Sequence, residues 1–171
     1  GALDVRNQCS GFIYALSAGD QYIRSGTYKK ILIVAAEVHS SSLDYSDDGR
    51  DLVVLFGDGG AAVIIEPNEK NDNRGILSSH LFSDGSHVTD LWMDAPSPKD
   101  HPTFSKEMLG SKRCYPQMNG KQVFITAVQK MPEAVNVALN HNNLKIEDID
   151  HLIPHQANDR ISLMVAKNLR I

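Results

Sequence analysis

The chain has 171 residues, 42% of them hydrophobic and 22% charged, with a formal net charge of −4; this composition excludes a disordered chain and suits one domain or part of a larger layered one. The acidic balance and scattered basic residues argue against a nucleic-acid protein. The longest apolar runs, such as Ile31–Ala36, fall well short of the roughly 20 residues that cross a bilayer. The only two cysteines, Cys9 and Cys114, have no framework spacing and point to a reducing, cytoplasmic compartment.

The sequence opens with "GALDV", which reads as a short strand. Ser10 to Arg24 reads as a helix that is apolar almost all round (Phe12, Ile13, Tyr14, Ala15, Leu16, Ala18) and therefore buried. Gly26 supplies a C-terminal cap signal. The continuous apolar run in "KKILIVAAEV" is the pattern of a strand covered on both faces in a parallel sheet. The loop "SSSLDYSDDGRD" leads to "LVVLF", the turn "GDGG" and the strand "AAVIIE". Pro67–Gly75 is a polar connector and the best internal boundary.

Beyond it, "ILSSHLF" reads as a strand. Ser86 to Met118 holds four prolines and little periodicity, so it is loop-rich. "NGKQVFITAVQKMPEAVNVALNHNN" reads as a helix that Pro132 kinks or splits. "HLIPH" is a short strand, and Asn158 is the N-cap of a last helix, "DRISLMVAKNLRI". Strand–helix alternation with continuous apolar strands predicts an α/β layered fold. The sequence starts in a strand pattern and closes in a helix pattern with no stop signal, as the interior of a longer protein would.

Seven histidines are present, but none falls in H-E-x-x-H and neither cysteine has a cysteine neighbour, so metal-ligand spacing is missing. "FGDGGAA" lacks the lysine and serine or threonine of a P-loop; it reads as a tight turn before a strand rather than a phosphate cradle. Cys9 lies where a polar segment meets the apolar helix. It can be a small buried thiol or a nucleophile whose thiolate is favoured by the positive helix start. Ser10 and Gly11 leave little bulk beside the sulfur and let backbone N–H groups face a developing oxyanion. His155, in "IPHQAND", leaves a strand just ahead of a helix, where α/β proteins assemble sites; alternatively it caps local backbone. Asn158 needs only its side-chain oxygen to act as an N-cap.

Five stretches, "QCSGFIYALSAGDQYIRSG", "GRDLVVLFGDGGAAVII", "GILSSHLFSDGS", "MNGKQVF" and "IPHQANDRI", occur in this order. Together they resemble β-ketoacyl-ACP synthase III, over nearly the whole chain apart from Val88–Met118. The resemblance implies a thiolase-like layered αβαβα fold of two similar halves, incomplete in this chain. Residues 1–66 would end the first half, 67–74 connect, and 75–171 form most of the second. It implies a homodimer that condenses acyl-CoA with malonyl-ACP by decarboxylation and starts fatty acid synthesis. Coenzyme A thioester would be a substrate, with no cofactor, metal, nucleic acid or membrane partner.

On the same resemblance Cys9 matches the nucleophile and His155 the catalytic histidine. Arg50 matches the arginine at the adenine end of coenzyme A, and Phe124 a wall of the pantetheine tunnel; Gly120 and Asn158 fall with them in substrate binding. Arg160 matches a basic residue linked to carrier-protein docking, and Lys167 lies on the same predicted helix. The family's third catalytic residue, a glycine-flanked asparagine, has no counterpart before Ile171, so this chain alone is expected not to complete the condensation. "RNQ" stands before Cys9 where many members carry small residues, which leaves acyl preference open. Three other readings compete: a papain-like cysteine hydrolase, which shares a similar Cys-to-His interval but not the local "QCSGF"; a thiolase-fold relative joining other acyl groups; and a non-catalytic thiolase-like scaffold.

Overall fold

A computed structural model describes residues 1–70, 72 and 74–171; Asn71 and Asn73, in the polar connector, lie outside the described residues. The elements in chain order are α1 (Gly11–Arg24), β1 (Ile31–Glu37), α2 (Arg50–Val53), β2 (Gly59–Ile65), β3 (Leu91–Trp92), β4 (Gln117–Met118), α3 (Gly120–His141) and α4 (Asp159–Leu169), with short 3-10 turns between them. The chain forms two compact units that interleave along the sequence. One comprises Gly1–Glu37, Gly59–Phe82 and Glu133–His155; the other comprises Val38–Asp58, Ser83–Pro132 and Gln156–Ile171. No described helix is long and apolar enough to cross a membrane.

In the first unit, α1 ends as the sequence predicts. Gly26, at φ +73, lets its N–H reach the Ile23 carbonyl (3.0 Å) while Thr27 N–H reaches Tyr22 (3.0 Å), the paired bonds that close a helix C-terminus. The helix packs on β1 and β2 at Gly19, where a Cβ would meet Ile65 Cδ1 at 2.8 Å and Ile33 Cδ1 at 3.3 Å. A larger residue there would have to push these isoleucine side-chain ends aside. The pairing of β1 with β2 is antiparallel, from Ile31↔Ile65 to Glu37↔Gly59, because the chain turns back on itself through residues 38–58.

That arrangement corrects the expected parallel, doubly covered strand. Side chains alternate across a strand: Ile33 is buried, whereas Leu32 and Val34 on the other face of β1, and Ile64 opposite Leu32, are all more than 60% exposed. The chain supplies a layer for one face only. The all-round burial expected of α1 is incomplete for the same reason, with Ile13 and Tyr22 exposed.

Three expected strands are not formed. Residues of "GALDV", "ILSSHLF" and "HLIPH" carry no regular structure, since a strand exists only through its ladder and these find no partner among the described residues. "ILSSHLF" is held by side chains instead: Tyr14 Oη donates to the Phe82 carbonyl (3.2 Å), Arg24 Nη2 to Ile76 (2.6 Å) and Asn142 Nδ2 to Ser78 Oγ (2.7 Å). "LVVLF" enters the short α2, which follows a 3-10 turn at Asp47–Gly49.

The second unit is built on α4. Ile161, Val165 and Leu169 recur every four residues along one face and are buried, the stripe expected of a core-facing helix. Asn158 caps the helix, its Oδ1 accepting from Arg160 N–H at 2.9 Å. Arg170, at φ +64, ends it in the left-handed region, a stop that the sequence pattern did not reveal. Within α3, Pro132 does not split the helix, which runs unbroken for 22 residues. Proline lacks the N–H that would reach the carbonyl four residues back, and the Asn168 Nδ2 donates to that carbonyl, Val128 O, at 3.0 Å. The loop-rich stretch before α3 is tied by Arg113, which donates to Asp94 and, at 2.8 Å, to Asp100.

Candidate active site

Cys9 sits in the 3-10 turn Gln8–Ser10 that leads into α1. The polar-to-apolar change in sequence places it there: the apolar helix packs on the sheet, and the polar residues ahead of it stay in solvent. The residue is exposed, yet its sulfur is partly desolvated. That desolvation first, and then the Glu37 carboxylate at the end of β1, push the thiol above its ordinary value of 9.0; a hydrogen bond from its own backbone N–H pulls weakly the other way. The expectation of a thiolate favoured by the helix start is therefore corrected. Loss of water and a like charge outweigh the partial positive charge of one helix end. Gly11 N–H is also taken, bonding the Gln8 carbonyl, so it does not face the sulfur as an open donor.

His155 belongs to the same compact unit as Cys9 and is exposed, in the irregular segment directly before α4. No hydrogen bond joins the two side chains among the described residues.

The remaining candidates fall in the second unit. Phe124 on α3 joins Arg160, Leu163, Met164 and Lys167 on α4 around a hollow of about 350 Å³. Sequence reasoning named the aromatic and the two cations; helical spacing of 160, 163, 164 and 167 was the available signal for the two apolar residues between them. Arg160 and Lys167 make no ion pair among the described residues, so the hollow has an apolar floor and an unneutralised basic rim. Gly120 is the first residue of α3, where a Cβ would lie 3.5 Å from Met118 Cε. The Asn158 oxygen is committed to its cap bond, which leaves its amide NH₂ available.

Arg50 opens α2, exposed, and its guanidinium has no hydrogen-bond or ion-pair partner among the described residues. Its neighbourhood is crowded: Gly49 is buried against Asp44, and Asp48 pairs with Lys112 Nζ at 2.9 Å. Two acidic residues that the sequence did not flag shape these surroundings, Glu37 beside Cys9 and Asp58 at the base of the Arg50 loop. No group of three or more potential metal ligands is assembled among the described residues.

Comparison with known proteins accounts for this combination. The family model for 3-oxoacyl-[acyl-carrier-protein (ACP)] synthase III matches residues 3–85, and that for the C-terminal part of the same synthase matches residues 139–171. A β-ketoacyl-[acyl-carrier-protein] synthase III of Chlorobium phaeobacteroides is 40% identical over 98% of this chain and 50% of its own length. That of Paramagnetospirillum magneticum is 43% identical over 98% of this chain and 49% of its own. The solved synthase III of Thermus thermophilus superposes with a TM-score of 0.84 at 33% identity, covering 98% of this chain and 49% of that one. The chain thus spans about half the length of these relatives, within the thiolase-like layered fold expected from its motifs. It belongs to the 3-oxoacyl-[acyl-carrier-protein] synthase III family.

Proposed function

We propose that the complete protein carrying this chain condenses an acyl-CoA with malonyl-ACP through an acyl-enzyme on Cys9. It would thereby initiate fatty acid synthesis as a cytoplasmic homodimer built from two similar halves, one ending at residue 66 and one beginning at residue 75. The observation that carries this reading is the placement of Cys9 at the start of α1 and His155 just ahead of α4, in one compact unit of a family chain.

The chemistry follows from the residues. Desolvation and the Glu37 carboxylate raise the Cys9 pKa and favour the neutral thiol, so its proton has to leave as the C–S bond to the thioester carbonyl forms. The exposed Cys9 sulfur passes that proton to solvent, which returns one to the departing coenzyme A thiolate. In the second half-reaction malonyl-ACP loses carbon dioxide, and its enolate carbon attacks the acyl-enzyme and expels the Cys9 thiolate. Negative charge then builds on the malonyl thioester oxygen, where a neutral His155 N–H donates. Arg50 would meet the adenine end of coenzyme A, with Phe124, Gly120 and Asn158 along the pantetheine arm. Arg160 and Lys167, without an ion pair among the described residues and beside an apolar hollow, suit an acidic carrier protein. No cofactor or metal enters these steps.

Two half-reactions assayed separately test the proposal. Labelled acyl-CoA should mark a peptide containing Cys9 and not Cys114. Substituting His155→Ala should slow decarboxylative condensation about 10²–10³-fold, the usual cost of one oxyanion donor, and far more than it slows acylation. Label retained in Cys9→Ala refutes the assigned nucleophile; equal damage to both half-reactions refutes the division of labour.

A further inference from the structure

The loop from Val38 to Asp58 carries Arg50 and is closed at its base by one side chain. Asp58 Oδ1 accepts from the His39 N–H at 2.7 Å and the Ser40 N–H at 2.8 Å, while its Oδ2 accepts from Ser40 Oγ at 2.6 Å. His39 and Ser40 lie just after β1 and Asp58 just before β2, so these three bonds join the two ends of the loop. Charge-assisted bonds of this length are among the strong ones.

Contacts continue from the clamp toward Arg50. The Ser40 carbonyl accepts from Tyr45 Oη at 2.9 Å. Asp44 Oδ1 accepts from Ser46 N–H at 2.9 Å, and the Ser46 carbonyl accepts from Gly49 N–H at 3.1 Å. Gly49 is the residue before Arg50. The Phe56 ring also lies 5.1 Å from that of His39, which packs the two strands of the loop base together. Among the described residues no side chain grips the Arg50 guanidinium, so the backbone of the loop sets where that side chain starts.

We propose that Asp58 is a positioning residue: it closes the 38–58 loop and so holds Arg50 where the nucleotide end of coenzyme A binds. This rests on the reading of Arg50 given above. The same geometry explains the motif "FGDGG". A carboxylate occupies the turn and is saturated by donors on the protein, so the turn repels phosphate and serves as a clasp. The hydrogen bonds from Ser40 and then His39 hold the carboxyl below its usual range, which keeps the clasp charged at neutral pH.

The test compares acyl-CoA with acyl-pantetheine, which lacks the nucleotide, as acyl donors to the complete enzyme. Asp58→Ala should lower kcat/KM for acyl-CoA about tenfold, chiefly through KM, and change that for acyl-pantetheine by less than twofold. Asp58→Asn keeps an acceptor for the two backbone donors and should recover most of the loss. Arg50→Ala should show the same selectivity, and Asp58→Ala added to it should cost nothing more. A selective Arg50→Ala with an unselective or additive Asp58→Ala overturns the role of Asp58 alone. An Arg50→Ala variant that treats both donors alike overturns the Arg50 reading and the clasp's function with it.

Discussion

Replacing Gly49 by alanine puts the packing of the Arg50 loop to a quantitative test. A Cβ at this position would overlap the Asp44 carbonyl oxygen, and would lie 2.6 Å from Asp44 Cβ and 2.7 Å from its carbonyl carbon. Backbone atoms cannot swing aside as the end of a flexible side chain can. Overpacking of this kind costs about 1–3 kcal/mol, and the involvement of backbone places Gly49→Ala near the upper end, about 3 kcal/mol. For a chain of this size each kcal/mol moves the Tm by about 2–4 °C, so the expected drop is about 6–12 °C.

Gly57 is the internal control. It lies in the same loop, and a Cβ added to it would meet nothing within 4 Å. Gly57→Ala removes only chain entropy from the unfolded state, which stabilises by about 0.4–1 kcal/mol, so its Tm should hold or rise slightly. The assay is thermal unfolding of both variants beside wild type, followed by circular dichroism. Equal Tm values for the two variants would refute the claim that Gly49 is required by the close approach of Asp44.

Further outcomes concern the cap of α4 and the thiol. Asn158→Ala should cost about 1 kcal/mol, the usual loss for an N-cap, seen as a small fall in Tm that Asn158→Ser restores; no change would mean the cap bond to Arg160 carries no stability. Glu37→Gln removes the negative charge that raises the Cys9 pKa, so thiolate should appear at lower pH and iodoacetamide should alkylate faster at any fixed pH below that pKa. An unshifted alkylation profile would assign the whole rise to desolvation.

Helices were more legible in the sequence than strands. The runs that became α1, α3 and α4 carry their own hydrogen bonds, so local periodicity and the cap at Asn158 announced them. "GALDV", "ILSSHLF" and "HLIPH" have strand composition, but a ladder depends on a partner elsewhere and composition does not supply one. The position of Cys9 ahead of a helix was likewise local, while its pKa was not. Glu37 lies far along the chain, and only folding brings it near enough to oppose ionisation. The Asp58 clasp was hidden for the same reason: the motif was visible, but its donors are 18 and 19 residues away.

The bond from Asn168 to Val128 ties the fate of one helix to another across 40 residues of sequence. A helix with proline in its interior has a missing rung and would open first around it. Here the missing rung is replaced by a side chain from the last turn of α4, so that stretch of α3 gains full satisfaction only after α4 has docked. The two segments should therefore open and close as one cooperative unit, with shared rather than separate protection against local unfolding. A change confined to the end of α4 would then be felt as loosening in the middle of α3.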